Sequence, residues 1–180
     1  MKKRQSITLF LSLLVLSFCL SPLTSECQSL SIDQVRSAFS QAIHDEIACD
    51  NLCTRMDAAP NINDPVWMAY KATLTITKAK YTLNPLSKYQ YFKEGKALLD
   101  NCVLSAPDNI EIRFLRFTVQ DHSPSFLGYN KELSADKQYI LSNLEAIPFP
   151  KLKKSIINYI GICDRFSEAE KKWAANLLIS

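Results

Sequence analysis

The sequence predicts an all-α protein, and three observations carry that prediction. Apolar residues recur at three- and four-residue steps along most of the chain. Helix-start signals, a capping side chain or an Asp/Asn-Pro pair, precede several of those stretches. Glycine is scarce: three occur in 180 residues, where ~7% is usual. Tight hairpins, dinucleotide loops and phosphate-cradling loops all consume glycine, so a β-barrel, a Rossmann fold or a P-loop is disfavoured. The expected architecture is a single domain over residues 28–180, with about seven helices in antiparallel hairpins.

Residues 1–27 read as an export signal. Lys2, Lys3 and Arg4 form a positive start, and Ile7 to Leu20 an apolar stretch. Ser25 and Cys27 stand at −3 and −1 of a cut before Gln28. A cut after Ser25 is the second option and would leave Cys27 on the product. The apolar stretch is shorter than the ~20 residues of a spanning helix, so no stable membrane span is expected after cleavage. Phe18 before Cys19 and Glu26 before Cys27 do not suit a lipid-anchored start. The expected location is the periplasm or beyond. Of 21 basic and 18 acidic residues, the signal holds Lys2, Lys3, Arg4 and Glu26, which leaves 18 against 17. So small an excess gives no reason to expect nucleic-acid binding. The remaining ~150 residues are long enough to bury about 70% of their unfolded surface.

The helices follow in order. Ser31 with Gln34 forms a capping box before a first helix over 32–57, with Ile32, Val35, Phe39, Ile43 and Ile47 on its apolar face. Asp64-Pro65 starts a second helix that runs to about Tyr81: aspartate caps free N–H groups, and proline has none to lose at the first helical position. Asn84-Pro85 breaks the chain, and a third helix covers 88–105. A fourth spans 109–121 and is apolar on two sides, Ile110, Phe114 and Phe117 against Ile112, Leu115 and Val119. Such a helix packs between neighbours. A loop over 121–131 carries Phe126, Leu127 and Tyr129. Three helices remain, over 133–146, 150–161 and 167–178. The last is opened by the capping box Ser167/Glu170.

Within residues 65–107, Trp67, Tyr70 and Leu74 are followed by Gly95, Leu99, Cys102 and Pro107. That order of large, then small, then terminating residues resembles a degenerate tetratricopeptide repeat. Lys71 replaces a small residue of the pattern, about twelve extra residues separate its halves, and no ~34-residue period recurs. The resemblance implies a helical hairpin in which those seven residues are structural. It further implies a scaffold that binds a protein or peptide. The run from Ile112 to Tyr129 is also similar to uncharacterised exported proteins, which implies no activity.

Candidate sites are few. An oxidising compartment would leave Cys49, Cys53, Cys102 and Cys163 either in disulfides, with three possible pairings, or as buried thiols. Cys49 and Cys53 stand one turn apart on one helix face. His44 lies five residues before Cys49, hence on another face, so no metal and no cofactor are expected. Asp121, His122 and Ser123 are sequence neighbours, and neighbours in a loop do not form a catalytic relay. A hydrolase with unrecognised residues is the remaining enzymatic alternative to a non-enzymatic protein. Glu46 and Asp50 fall in the apolar arc of the first helix, so they either pair inside the bundle with Arg113 or Arg116 or, the plainer alternative, all four reach water. The same arginines, with Gln120, Tyr129 and Asn130, could line a groove for an acidic peptide tail, because arginine forks suit carboxylates. Exposure of that stripe to solvent is the plainer alternative. Tyr81, Tyr89, Tyr91 and Phe92 form an aromatic cluster that either contacts a peptide or packs a hairpin end. The leading expectation is an exported scaffold or adaptor, and the second a helical carrier of a small apolar or acidic ligand.

Overall fold

A computed structural model describes residues 30–59 and 63–178. Residues 1–27, expected to be an export signal, and the expected cut before Gln28 lie outside the described residues. The described chain is all-helical and holds eight α-helices, with no strand among them. They are α1 (Ile32–Ala42), α2 (Glu46–Asp57), α3 (Pro65–Lys78), α4 (Pro85–Ser105), α5 (Ile110–His122), α6 (Leu133–Asn143), α7 (Pro150–Ile162) and α8 (Glu168–Asn176). A short 3-10 turn, Ser125–Leu127, lies between α5 and α6. Successive helices pair as α1–α2, α3–α4, α5–α6 and α7–α8, and α3–α4 is the most extensive contact.

Eight helices among the described residues agree with the expected fold of about seven, and the difference of one lies at the start of the chain. The first stretch is two helices. Chain direction changes at Ile43 and His44, and Asp45 caps a new helix by accepting from the Ala48 N–H at 2.8 Å. That break resets the helical phase. Ile47 therefore faces solvent, and α2 buries Cys49, Leu52, Cys53 and Met56 instead.

The other boundaries follow from local chemistry. Ser31 and Gln34 close the expected capping box. Asp64 accepts from the N–H groups of Val66 and Trp67, and Asn84 from those of Leu86 and Ser87, each with proline at the first helical position. Asn109 caps α5 in the same way, and Ser167/Glu170 cap α8. Each such cap stabilises its helix by ~1 kcal/mol.

Two apolar clusters form, and α5 separates them. The first gathers residues of α1–α4 with Ile112, Leu115 and Val119 of α5. The second gathers α6–α8 with Phe117, Ile110 and Phe114 of α5. The two-sided apolar pattern of this helix thus corresponds to two cores, one on each side. Trp67, Tyr70, Leu74, Leu99 and Cys102 are buried in the first cluster. Gly95 sits where α4 crosses α3: a Cβ there would lie 2.6 Å from the Ala72 carbonyl oxygen and 2.5 Å from Ile76 Cγ1. The Pro107 carbonyl accepts from Arg113 Nε at 2.7 Å in the α4–α5 turn. Lys71 points outward and pairs with Asp57.

Candidate functional site

Polar side chains gather where α4, α5, α6 and the 125–127 turn meet. Asp136 is fully buried on α6. Arg116 grips it with two parallel bonds, Nε to Oδ2 at 2.7 Å and Nη2 to Oδ1 at 2.8 Å. Arg113 adds a third, Nη1 to Oδ1 at 3.1 Å, and its guanidinium lies 4.6 Å from the Tyr139 ring centre. Burial works against the charge on Arg116, but the bonds to Asp136 outweigh it and hold the guanidinium above its ordinary pKa. The expected partners Glu46 and Asp50 are both exposed, and Asp50 pairs with Lys78 at 3.0 Å. Arg116 is buried and Arg113 half-buried, and both pair with a residue of α6 rather than α2.

Tyr129 completes the neighbouring layer. It is buried, donates to Asp100 Oδ1 at 2.7 Å, meets Phe92 edge-on at 5.9 Å, and lies under the Lys96 ammonium at 4.7 Å. Burial, then the Asp100 carboxylate, pushes its hydroxyl pKa upward. Gln120 is buried one turn after Arg116, and neither its Nε2 nor its Oε1 has a protein partner. Asn130 faces solvent. Four of the five residues expected to line a peptide groove therefore belong to an interior polar layer. The guanidinium forks already hold a carboxylate of the same chain, so an acidic peptide tail would have to displace Asp136.

Two further polar groups were not anticipated. Glu111, buried in the first turn of α5, receives Arg36 through Nε at 2.7 Å and Nη2 at 2.6 Å, and the Tyr70 hydroxyl at 2.7 Å. Asp121, at the other end of α5, receives Arg165 at 2.8 Å, the Tyr159 hydroxyl at 2.9 Å and the Cys163 thiol at 3.3 Å. Burial would raise the Asp121 pKa, but those three donors hold it below its ordinary value. A signal existed for two of these carboxylates. Asp136, Ile140 and Leu144 share one stripe of α6, and Glu111, Leu115 and Val119 share one of α5, so an acid interrupts an apolar stripe in both helices.

Asp121 and His122 both approach the Tyr159 hydroxyl, at 2.9 and 3.5 Å, while Ser123 turns to a different partner. His122 Nδ1 lies 2.8 Å from the Thr118 carbonyl, and Ser123 Oγ donates to the Val119 carbonyl at 2.7 Å. The Cys163 thiol is raised in pKa by burial and by its bond to Asp121, opposite to what a thiolate nucleophile needs. Cys49, Cys53, Cys102 and Cys163, the four cysteines among the described residues, are buried free thiols. Burial alone pushes Cys102 up to about 11. Among the described residues no group of three or more His, Cys, Asp or Glu is placed to hold a metal ion, and no helix is long and apolar enough to cross a membrane.

An apolar surface lies elsewhere, on the α3–α4 connection. Leu83 is 95% exposed, and Leu86 and Tyr89, in the first turns of α4, are 65% and 56% exposed. Lys80 donates to the Ile43 carbonyl at 3.2 Å, so the α1–α2 turn and exposed Ile47 lie at this same end. Tyr91 is half-buried and Phe92 buried, so the aromatic cluster is split between surface and core. No family model, no curated protein and no solved structure matches the chain.

Proposed function

We propose that the protein is an exported, non-enzymatic adaptor that docks another envelope or secreted protein through the end of the bundle bearing Leu83, Leu86 and Tyr89. The observation that carries this reading is the exposure of these three large apolar residues within seven positions. A monomer gains nothing from wetting such a group, and a protein interface would cover it. Exposed charges at Lys80 and Lys88 adjoin the patch along the chain, as a polar rim would. The polar layer around Arg116 supports the same division of labour: it is spent inside the fold. A tetratricopeptide-like hairpin role for α3–α4 agrees with this reading.

A photo-crosslinking residue at Leu86 should capture one protein species from the native envelope, and the same residue at Lys154 should not. L83S/L86S should keep the helical spectrum and melting temperature while losing the captured species. Equal capture from both positions, or from none, would remove the proposal.

A second reading rests on Gln120. Its unpartnered amide beside Arg116 would suit a carrier holding a small hydrogen-bonding or acidic ligand within the bundle. Such a ligand would raise the melting temperature of the native protein and not of Q120L.

A further inference from the structure

The end of the bundle that bears the exposed apolar residues also bears charges of both signs, and the unpaired ones stand on different helices. Leu83 leads Leu86 and Tyr89 into α4, and Ile47, 74% exposed, stands in the first turn of α2. Both α2 and α4 pack on α3. Asp50 of α2 bridges to Lys78, the last residue of α3, at 3.0 Å. Glu46 lies one turn before Asp50 on the same face of α2, which sets its carboxylate beside the residues that follow Lys78. Two further observations agree. Lys80 donates to the Ile43 carbonyl at 3.2 Å. Burial, then Cys49, then the Asp45 and Glu46 carboxylates push the Tyr81 hydroxyl pKa upward.

Most charges here are already engaged within the chain. Lys78 holds Asp50, Lys71 holds Asp57, Lys80 holds the Ile43 carbonyl, and Asp45 caps α2. Glu46 on α2, and Lys88 and Lys93 on α4, are exposed and take part in no ion pair among the described residues. No acid occurs from Pro65 to Lys93, so the α4 side of the patch is basic until Glu94. An unpaired acid on one side of an apolar patch and unpaired bases on the other suit a two-fold interface, because each copy must supply both halves of every cross-pair. A foreign partner imposes no such arrangement.

We propose that this end of the bundle is a two-fold dimer interface and that its occupant is a second copy of the chain. Ile47, Leu83, Leu86 and Tyr89 of the two copies cover one another, and Glu46 of each copy meets Lys88 of the other. The proposal rests on the docking reading of this end and gives the docked protein an identity. Four large side chains make a small interface beside the ~800 Å² per partner of a standard one, so the dimer dissociates at micromolar concentration.

The test is sedimentation velocity on the protein purified from its native cells, from below to well above micromolar concentration. The wild type should pass from monomer to dimer, and Leu83→Ser/Leu86→Ser should stay monomeric. Glu46→Lys and Lys88→Glu alter exposed side chains, and each should weaken the dimer by about tenfold, since each sets two like-charged pairs across the axis. An equimolar mixture of the two should dimerise as tightly as wild type, because every swapped charge again meets its opposite. A folding defect could not produce that restoration. The crosslinking residue at Leu86 should capture this chain itself. A monomer at every concentration, a dimer untouched by Leu83→Ser/Leu86→Ser, or a mixture as weak as its components would overturn the second copy as partner. Capture of a different protein at Leu86 would then leave the docking surface standing, and capture of none would remove both.

Discussion

The two halves of this molecule are joined by the same helix but held to it by opposite charges. Toward the first core, α5 offers an acid: Glu111 is held by Arg36 of α1 and Tyr70 of α3. Toward the second core it offers bases: Arg113 and Arg116 close on Asp136 of α6. Both clamps bury a carboxylate, yet their surroundings differ. Arg36 keeps a second partner, Asp33 at 2.8 Å, and a side chain 17% exposed. Arg116 is 10% exposed and Arg113 19%, and both converge on one acid. A buried ion pair adds little net stability, but stranding one partner is expensive. The comparison teaches that equal-looking clamps fail unequally, according to what the orphaned charges can reach.

The largest test of that contrast is a pair of substitutions. Asp136→Ala strands the Arg116 guanidinium, while Arg113 keeps the Pro107 carbonyl and the Tyr139 ring, and should cost about 3–5 kcal/mol. Glu111→Ala leaves Arg36 with Asp33 and strands mainly the Tyr70 hydroxyl, so about 2–3 kcal/mol is expected. Urea unfolding measures both. The chain has two tryptophans, buried Trp67 in the first core and Trp173 packed on the second, so W67F and W173F backgrounds report the halves separately. An Asp136→Ala loss no larger than that of Glu111→Ala would break the comparison.

A smaller effect belongs to the first half alone. Gly95→Ala drives a methyl group into the Ala72 carbonyl and the Ile76 side chain. Overpacking of this kind costs about 1–3 kcal/mol. Because α3 and α4 would have to separate, Trp67 fluorescence should respond and Trp173 fluorescence should not. A neutral Gly95→Ala would show that the helix pair has slack.

The smallest effect sharpens the second half. Asp121 has a depressed pKa when folded, so its bonds to Arg165, Tyr159 and Cys163 add stability above the ordinary aspartate value of 3.8. That contribution fades as pH falls through 3.8 and is gone below the folded value. Glu170 is also lowered, by Lys137 and the Ser167 cap, in the same half. Acid should therefore loosen α7 and α8, seen as faster amide exchange there, and Asp121→Asn should flatten the pH dependence. An unchanged acid slope in Asp121→Asn would rule this out.

Much of the fold is legible residue by residue. Asp64-Pro65, Asn84-Pro85 and the two capping boxes mark helix starts because a cap is a contact of two or three residues. The two-sided α5 is legible because periodicity is local as well. The break at Ile43–Asp45 escaped because apolar steps run on through it, and only the Asp45 cap betrays the change of phase. The site was half legible. The faces of α5 leave two readings of Arg113 and Arg116, enclosed and paired or open to water, and do not choose between them. Their partner is not legible either, because Asp136 lies twenty residues beyond Arg116 and pairing at that range depends on how helices dock. Tyr129 meeting Asp100 escaped for the same reason.

The placement of α5 carries a consequence for biogenesis. Its side chains complete both cores, so neither has a full complement of contacts until the chain has been made as far as His122. During synthesis on the ribosome, α1–α4 would wait with an uncovered greasy flank where Ile112, Leu115 and Val119 belong. That nascent intermediate is the species a holdase would recognise, and arrival of a single helix would release it.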